Sequence, residues 1–211
     1  MKEEQLSKIS EQRRETILKS AIVEFSQKPY KEASTDQITK QCGISKGLLF
    51  HYFKSKKDLY LFCLEQALMR LMTKTKETKG EAFYEIIFSA MDHKFNQCLV
   101  FPEEMRMVNM AAREMSKDVF EEKSKLLMRY ILKGKEESAK TMTRAVSTLK
   151  LREPQNPKVT AALLVYVNAV MNHYLELYKE RPDDFFAKAG EIKKELKAYL
   201  DCMLYGIVGE E

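Results

Sequence analysis

The sequence predicts an all-α fold, and three observations carry that prediction. Glycine and proline are scarce, with seven and five among 211 residues, whereas the helix formers Lys, Glu, Leu, Met and Ala dominate. Apolar residues recur at helical spacing along most of the chain. Several glycines and prolines fall between these periodic segments. The length is enough for one or two domains with a real core.

Charge, cysteines and missing motifs narrow the class of protein. The formal net charge is +5, and +4 of it lies in residues 1–58, which favours a polyanion-binding N-terminal segment. The cysteines, Cys42, Cys63, Cys98 and Cys202, have no ligand spacing, so we expect reduced thiols, no metal and a cytoplasmic location. No apolar signal segment precedes the first helix. The absence of a Gly-rich phosphate loop, HExxH or GxSxG predicts a non-enzyme without a cofactor.

The N-terminal part begins with a polar segment, residues 1–10, that we expect to be a flexible arm. A first helix is predicted from Glu11 to Gln27, ended by Pro29. Its apolar stripe repeats at helical spacing and consists of Ile17, Leu18, Ala21, Ile22 and Phe25. This stripe would form the core on which the following short helices pack.

Two short helices joined by a tight turn follow, at residues 34–53. Ser34 and Gln37 form a capping-box pair that opens the first of them, and Gly43 ends it because glycine adopts the left-handed backbone of a helix end. Ser45 then caps a second helix that runs from Lys46 to about Phe53. This arrangement is typical of a helix-turn-helix.

The second of these helices has the chemistry of a nucleic-acid contact. No acidic residue occurs from Ile44 to Lys57, and Leu49 and Phe53 can anchor the helix from one face. Lysine can reach phosphates or a guanine edge, glycine allows close approach, and His and Tyr can donate to phosphate oxygens. We expect base contacts from Lys46, Gly47, Leu48 and His51. The full set predicted to contact DNA is Thr35, Ser45, Lys46, Gly47, Leu48, His51, Tyr52 and Lys56.

Residues 45–59, SKGLLFHYFKSKKDL, resemble the DNA-reading segment of TetR-family transcriptional regulators, and the similarity extends over about Arg13 to Leu61. The family often has Tyr where this chain has Phe50, which cannot donate to phosphate and is interpreted as a packing or base-stacking residue. The resemblance implies an N-terminal three-helix DNA-binding domain, here residues 11–70. It also implies a C-terminal helical domain for effector binding and dimerisation, here residues 71–211.

A fourth helix is predicted from about Lys56 to Lys76. No proline or glycine interrupts residues 55–79, so we expect a rigid connection from the DNA-binding domain to the rest of the chain. Further helices are expected after Gly80, from Pro102, and from Phe120 past Gly134 to Leu149.

Twelve methionines and many aromatic residues suit either an apolar core or a surface that accepts varied apolar ligands. The resemblance implies an effector pocket in the helical body, for a small apolar or amphipathic molecule. The residues predicted to line it are Phe88, Met91, Phe95, Met107, Met110, Leu127, Tyr130, Tyr166, Met171 and Asn172.

The segment Val159 to Tyr178 is apolar nearly all round, which predicts that it is buried nearly all round. Its polar residues and its short unbroken apolar run argue against a membrane span. It follows the loop at residues 151–158 and, with the last helix, can form a two-fold symmetric four-helix bundle, as the resemblance implies. The predicted interface residues are Leu163, Val167, Val170, Tyr174, Leu196, Tyr199 and Met203. A monomeric core closed by the same two helices is the alternative.

These features together predict a DNA-binding transcriptional regulator. The most specific form of the prediction is a homodimeric repressor that binds a palindromic operator and is released by its effector. The alternative is a helical interaction protein whose helix-turn-helix no longer binds DNA.

Overall fold

The computed structural model describes residues 11–72, 80–151, 156–177, 184 and 187–205. Within these ranges the side chains of residues 95, 98, 171, 172 and 174–176 are not described. The described residues form nine α-helices, which confirms the all-α prediction. They are α1 (Glu11–Gln27), α2 (Thr35–Cys42), α3 (Lys46–Tyr52), α4 (Lys56–Leu71), α5 (Phe83–Val100), α6 (Pro102–Arg113), α7 (Phe120–Ser147), α8 (Pro157–Leu177) and α9 (Ala189–Tyr205).

Most predicted helix ends coincide with the observed ones. The bounds of α1 are those predicted, α6 begins at Pro102, and α7 passes through Gly134 without a break. The difference lies in α4, which was predicted to reach Lys76 and ends at Leu71 with Met72 as its C-cap. Residues 73–79, residues 152–155 of the predicted loop and the predicted arm at 1–10 lie outside the described part.

The described chain divides into two compact units, and the first comprises residues 11–72 and 96–135. In this unit α1 packs against α2, α4 and α6, and α4 also packs against α6. Aromatic rings meet in its core, where Tyr60 lies 5.0 Å from the ring of Phe25 and 5.1 Å from that of Tyr30. The residues of this core that are at most 1% exposed are Ile17, Ala21, Ile22, Phe25, Ile38, Leu49, Leu59, Cys63, Leu64, Ala67, Met107, Ala111 and Val119.

The second unit comprises residues 80–95, 136–151, 156–177, 184 and 187–205. Here α8 packs against α9. Tyr84 donates a hydrogen bond to Asp201, and Lys193 forms an ion pair with Asp92. The buried residues of its core are Phe83, Ile86, Ile87, Met91, Met142, Ala145, Val146, Leu163, Val167, Ile192, Leu196 and Leu200.

Helix α6 is the element that the predicted domain boundary did not assign to the DNA-binding part. It lies in the first unit, where Met107 and Ala111 are buried in the same core as α1 and α4. The functional boundary between residues 70 and 71 stays a prediction. Among the helices described, none combines the length and the apolar character needed to cross a membrane.

Candidate nucleic-acid interface

Helix α2 begins at a serine that is held from two sides. Ser34 is its N-cap, and Ser34 Oγ accepts a hydrogen bond from the Gln37 N–H at 3.4 Å, as predicted. The Ser34 N–H, which a full capping box would pair with Gln37, donates instead to Glu24 Oε1 at 2.8 Å. Glu24 is buried and also accepts from Lys28 Nζ at 2.9 Å. A carboxylate of α1 therefore fixes the start of the helix-turn-helix, and Thr35 is its first helical residue.

The turn between α2 and α3 has the predicted geometry. Gly43 has φ +67°, in the left-handed region, and the Ile44 N–H returns to the Thr39 carbonyl at 3.1 Å. Ser45 is the N-cap of α3, and its Oγ accepts from the Leu48 N–H at 3.1 Å. Both ends of the turn are therefore closed by local hydrogen bonds.

Helix α3, called the recognition helix below, is anchored from one face only. Leu49 is fully buried and Phe53, its C-cap, is 6% exposed in the core of the first unit. The other face is open to solvent: Lys46, Gly47 and His51 are exposed. This is the arrangement that a helix needs to lie in a DNA groove while it stays fixed to its own domain.

Lys46 forms an ion pair with a carboxylate of the neighbouring helix α2. Its Nζ lies 2.9 Å from Oδ1 and 3.1 Å from Oδ2 of Asp36, in the first turn of α2. Both side chains are more than half exposed. The acid-free run from Ile44 to Lys57 therefore does not make the surface of the recognition helix free of negative charge.

Gly47 has no structural reason within the described chain to be glycine. A Cβ added there would meet only Ser45 Oγ, at 4.0 Å, and the residue is helical. Glycine inside a helix costs roughly 0.5–1 kcal/mol relative to alanine. The sequence-based expectation that Gly47 lets the backbone approach DNA closely stays a prediction.

The ring side chains of the recognition helix differ in exposure. His51 is exposed, and its ring centroid lies 5.3 Å from that of Tyr52 in an edge-on arrangement. Tyr52 is half-buried and packs against the core of the first unit. Leu48 and Phe50 are also half-buried. His51 is therefore the ring best placed for a polar contact outside the chain.

Lys56 is engaged with the loop that precedes α2. Its Nζ donates to the Lys31 carbonyl at 3.2 Å and lies 4.8 Å from the centre of the Tyr30 ring. Burial lowers the pKa of Lys56, and the nearby carboxylates, first that of Glu24, oppose the shift. The predicted DNA contact of Lys56 thus competes with a role in holding the loop.

Four residues predicted to line a ligand pocket lie in the first unit. Met107 is fully buried in its core, Leu127 and Tyr130 pack against that core, and Met110 is half-buried. The same core contains residues of α1 and α4 and also Leu49 of the recognition helix. Met107 of α6 is therefore buried in the core that anchors the recognition helix.

The other described members of that set lie in the second unit. Met91 is buried in its core, Phe88 packs against it, and Tyr166 is 37% exposed. The side chains of Phe95, Met171 and Asn172 lie outside the described part. The predicted set is therefore divided between two cores, and its common role as one pocket stays a prediction.

The residues predicted for the dimer interface fall into an enclosed and an exposed group. Leu163, Val167 and Leu196 are at most 8% exposed, inside the core of the second unit, because the heptad-like seam faces the chain's own helices. Val170 and Met203 pack against the same core, whereas Tyr199 is 47% exposed. The side chain of Tyr174 lies outside the described part.

The segment Val159 to Tyr178 is less enclosed than its composition predicted. Apolar residues occur on nearly every side of helix α8. Two of them are nevertheless exposed, Val165 at 69% and Leu177 at 52%.

Within the described residues, no group of three or more His, Cys, Asp or Glu side chains could hold a metal ion.

Comparison with known proteins agrees with this geometry. Residues 17–62 match the family model of bacterial regulatory proteins, tetR family. The chain is 35% identical over 78 residues to the Transposon Tn10 TetC protein of Escherichia coli, covering 35% of this chain and 40% of that protein. It is 33% identical over 70 residues to the HTH-type transcriptional regulator YerO of Bacillus subtilis (strain 168), covering 33% and 24% of the two chains. These matches span less than half the length of each relative.

Solved structures extend the similarity of the fold to nearly the whole chain. The crystal structure of MexZ, a repressor from Pseudomonas aeruginosa, matches with a TM-score of 0.62 at 17% identity, covering 95% of this chain and all of that one. The transcriptional regulator SCO4942 from Streptomyces coelicolor matches with a TM-score of 0.55 at 20% identity, covering 90% and 97%. The matched family model describes bacterial regulatory proteins, and these two solved structures, at 17% and 20% identity, show that the helical fold is shared. Residues 17–62 are therefore similar, in sequence and in helix-turn-helix geometry, to the bacterial regulatory proteins of the tetR family.

Proposed function

We propose that the chain is a homodimeric repressor that binds a palindromic DNA operator and leaves it when a small apolar or amphipathic effector binds. The observation that carries the proposal is the recognition helix: its buried anchors are Leu49 and Phe53, and it leaves Lys46, Gly47 and His51 exposed. A repressor of this kind acts where the chromosome lies, which places it in the cytoplasm.

The dimer part of the proposal rests on the second unit. Tyr166 on α8 and Tyr199 on α9 are in contact, because the Tyr166 hydroxyl donates to the Tyr199 carbonyl at 3.4 Å. Both are more than a third exposed, and Val165 beside Tyr166 is 69% exposed. An apolar face that extends over two packed helices favours a second copy as its partner, since a two-fold axis joins identical patches. We therefore assign the interface to this exposed face rather than to the buried seam.

Effector release is supported by the resemblance to the family and by one polar atom in the first unit. Gln97 Oε1 is buried and has no hydrogen-bond partner among the described residues. A buried amide oxygen needs a partner from protein, water or ligand. An effector can act only if it binds the DNA-free state more tightly than the DNA-bound state. A compound that raises the melting temperature should therefore lower operator affinity, and stabilisation without this loss contradicts release.

The test of DNA binding is a titration of the protein against duplexes that tile the DNA flanking its own coding region. Fluorescence anisotropy should show one tightly bound duplex, and log K should fall linearly with log salt because lysines displace counterions from phosphates. Lys46→Ala should weaken binding to that duplex by about 1–3 kcal/mol if Lys46 contacts a base edge. An equal loss on random DNA would assign Lys46 to phosphate.

A matched control is Lys125→Ala. Lys125 is exposed and pairs with Glu121 at 2.5 Å, as Lys46 pairs with Asp36, but it lies on α7. We expect the control to bind DNA as the wild type does. Binding without salt dependence, or the same loss for both variants, would contradict the proposed site. No binding to any duplex would favour a helical interaction protein whose helix-turn-helix is inactive.

A further inference from the structure

The ion pair between Lys46 and Asp36 lies on the surface that the proposed function places against DNA, and the inference below rests on that function. Asp36 belongs to α2 and Lys46 to α3, so the pair bridges the two helices of the helix-turn-helix. Both carboxylate oxygens of Asp36 contact Lys46 Nζ, at 2.9 and 3.1 Å. The pair therefore has a defined geometry at the tip of the recognition helix.

The ion pair itself adds little to the stability of the fold. The Lys46 side chain is 54% exposed and that of Asp36 is 70% exposed, and ion pairs in water contribute only about 0–1 kcal/mol. The start of α2 is already closed by Ser34, and the start of α3 by Ser45. A carboxylate here also repels the phosphates that the same surface must approach, which is a cost to any DNA complex.

The pair changes what Lys46 can do. An ammonium that is neutralised by a carboxylate releases few counterions when it approaches a phosphate, so it adds little to binding that is independent of sequence. A lysine ammonium has three N–H donors, and contacts to two carboxylate oxygens leave at least one for another acceptor. In the major groove that acceptor can be O6 or N7 of a guanine.

We propose that Asp36 is a specificity-determining residue of the DNA-binding surface. It withholds Lys46 from phosphates and orients the ammonium toward a base edge. Binding to random DNA is thereby weakened more than binding to the operator. Asp36 is a positioning residue, because it acts on DNA through Lys46.

The test compares Asp36→Asn with the wild-type protein on two duplexes at several salt concentrations. One duplex is selected by the wild type from a randomised pool, and the other is a scrambled duplex of the same composition. On the scrambled duplex the variant should bind roughly three- to tenfold tighter, and its salt slope should be steeper by about 1, because Lys46 becomes a phosphate contact. On the selected duplex the gain should be smaller or absent, so the specificity ratio falls.

Two controls separate this mechanism from a general change of charge. In the double variant with Lys46→Ala, the replacement of Asp36 should no longer steepen the salt slope, because the effect passes through Lys46. Glu121→Gln removes one member of a Glu–Lys pair on α7 that is even more exposed, and it should leave both affinities unchanged. Melting temperatures of all variants check that each is folded.

The outcomes are distinguishable. An unchanged affinity and slope of Asp36→Asn on scrambled DNA would overturn the inference. So would an equal gain on both duplexes, or a gain and a steepening of the salt slope that are as large without Lys46 as with it. The proposed function survives those results, whereas a wild-type protein that selects no duplex at all overturns both.

Discussion

Gly47 shows how a single residue separates stability from binding. Its backbone is helical, and a methyl group there would enter open space apart from Ser45 Oγ at 4.0 Å. We predict that Gly47→Ala raises the free energy of unfolding by about 0.5–1 kcal/mol, because alanine loses less backbone entropy in a helix. The same change should weaken DNA binding, since the added methyl group blocks close approach. Urea unfolding and anisotropy titrations measure the two effects.

Gly190→Ala is the matched control for that prediction. Gly190 is also helical, and a Cβ there would meet nothing within 4 Å, but it lies on α9 in the second unit. It should leave DNA affinity unchanged. If Gly47→Ala binds DNA as tightly as the wild type, the backbone of the recognition helix does not approach DNA closely at this point.

Glu24 is the residue on which the start of the helix-turn-helix depends. Its buried Oε1 accepts hydrogen bonds from the Ser34 N–H and from Lys28 Nζ. We predict that Glu24→Ala lowers the free energy of unfolding by about 1.5–3 kcal/mol, the range for a lost hydrogen bond to a charged group. Glu32→Ala, at an exposed carboxylate of the loop between α1 and α2, should change stability by less than about 0.5 kcal/mol. Equal losses for the two variants would mean that Glu24 does not hold Ser34.

The caps of the helix-turn-helix could be predicted because they are local. Ser34, Gly43 and Ser45 contact atoms within five residues, and such short offsets can be recognised in a sequence. The contacts of Glu24 with Ser34 and of Asp36 with Lys46 each join residues ten apart on different elements. Those pairs depend on how the helices pack, which helical periodicity does not specify.

At the scale of elements, α6 is held to α1 and α4 by a partly buried ionic network. Arg70 of α4 donates to Glu104 of α6 at 2.7 Å and to Glu15 of α1 at 2.6 Å. Glu104 is only 7% exposed, so the loss of its partner would leave a carboxylate enclosed by protein. We predict that Arg70→Met lowers the free energy of unfolding by about 2–3 kcal/mol, less than for a fully buried pair because Arg70 is partly exposed.

Arg106→Met provides the comparison within the same helix. Arg106 also pairs with a glutamate of α6, Glu103 at 2.5 Å, but its side chain is 58% exposed. Its loss should cost less than about 0.5 kcal/mol by urea unfolding. Adding Glu104→Gln to Arg70→Met should recover part of the lost stability, because the enclosed charge is removed. Similar costs for Arg70 and Arg106 would show that the network does not hold α6.

The sequence predicted where the helices lie better than what they pack against. Apolar stripes and the residues Gly43, Pro102 and Phe120 mark starts and ends along the chain. The apolar stripe of α6 predicts only that the helix packs against some apolar core. It does not indicate that Met107 lies in the same core as α1 and α4. Composition likewise predicted that α8 is enclosed, whereas Val165 is 69% exposed within the chain.

At the scale of the whole molecule, the exposed Val165 tests whether this face of α8 joins two copies of the chain. Because Val165 makes little contact within the chain, Val165→Glu should change the stability of the second unit only slightly. In an apolar two-fold interface the two introduced carboxylates, one from each copy, would lie close together and away from water. The variant should therefore be monomeric where the wild type is a dimer. Size-exclusion chromatography with light scattering measures the mass.

The matched control is Met128→Glu, at an exposed apolar residue of the first unit, 55% exposed on α7. It should remain a dimer. DNA binding then links the interface to function: a monomer presents one recognition helix, so Val165→Glu should bind an isolated half-site as the wild type does and lose affinity only for the full palindrome. A dimeric Val165→Glu protein, or an equal loss on the half-site, would place the interface elsewhere and leave the exposed face of α8 without this role.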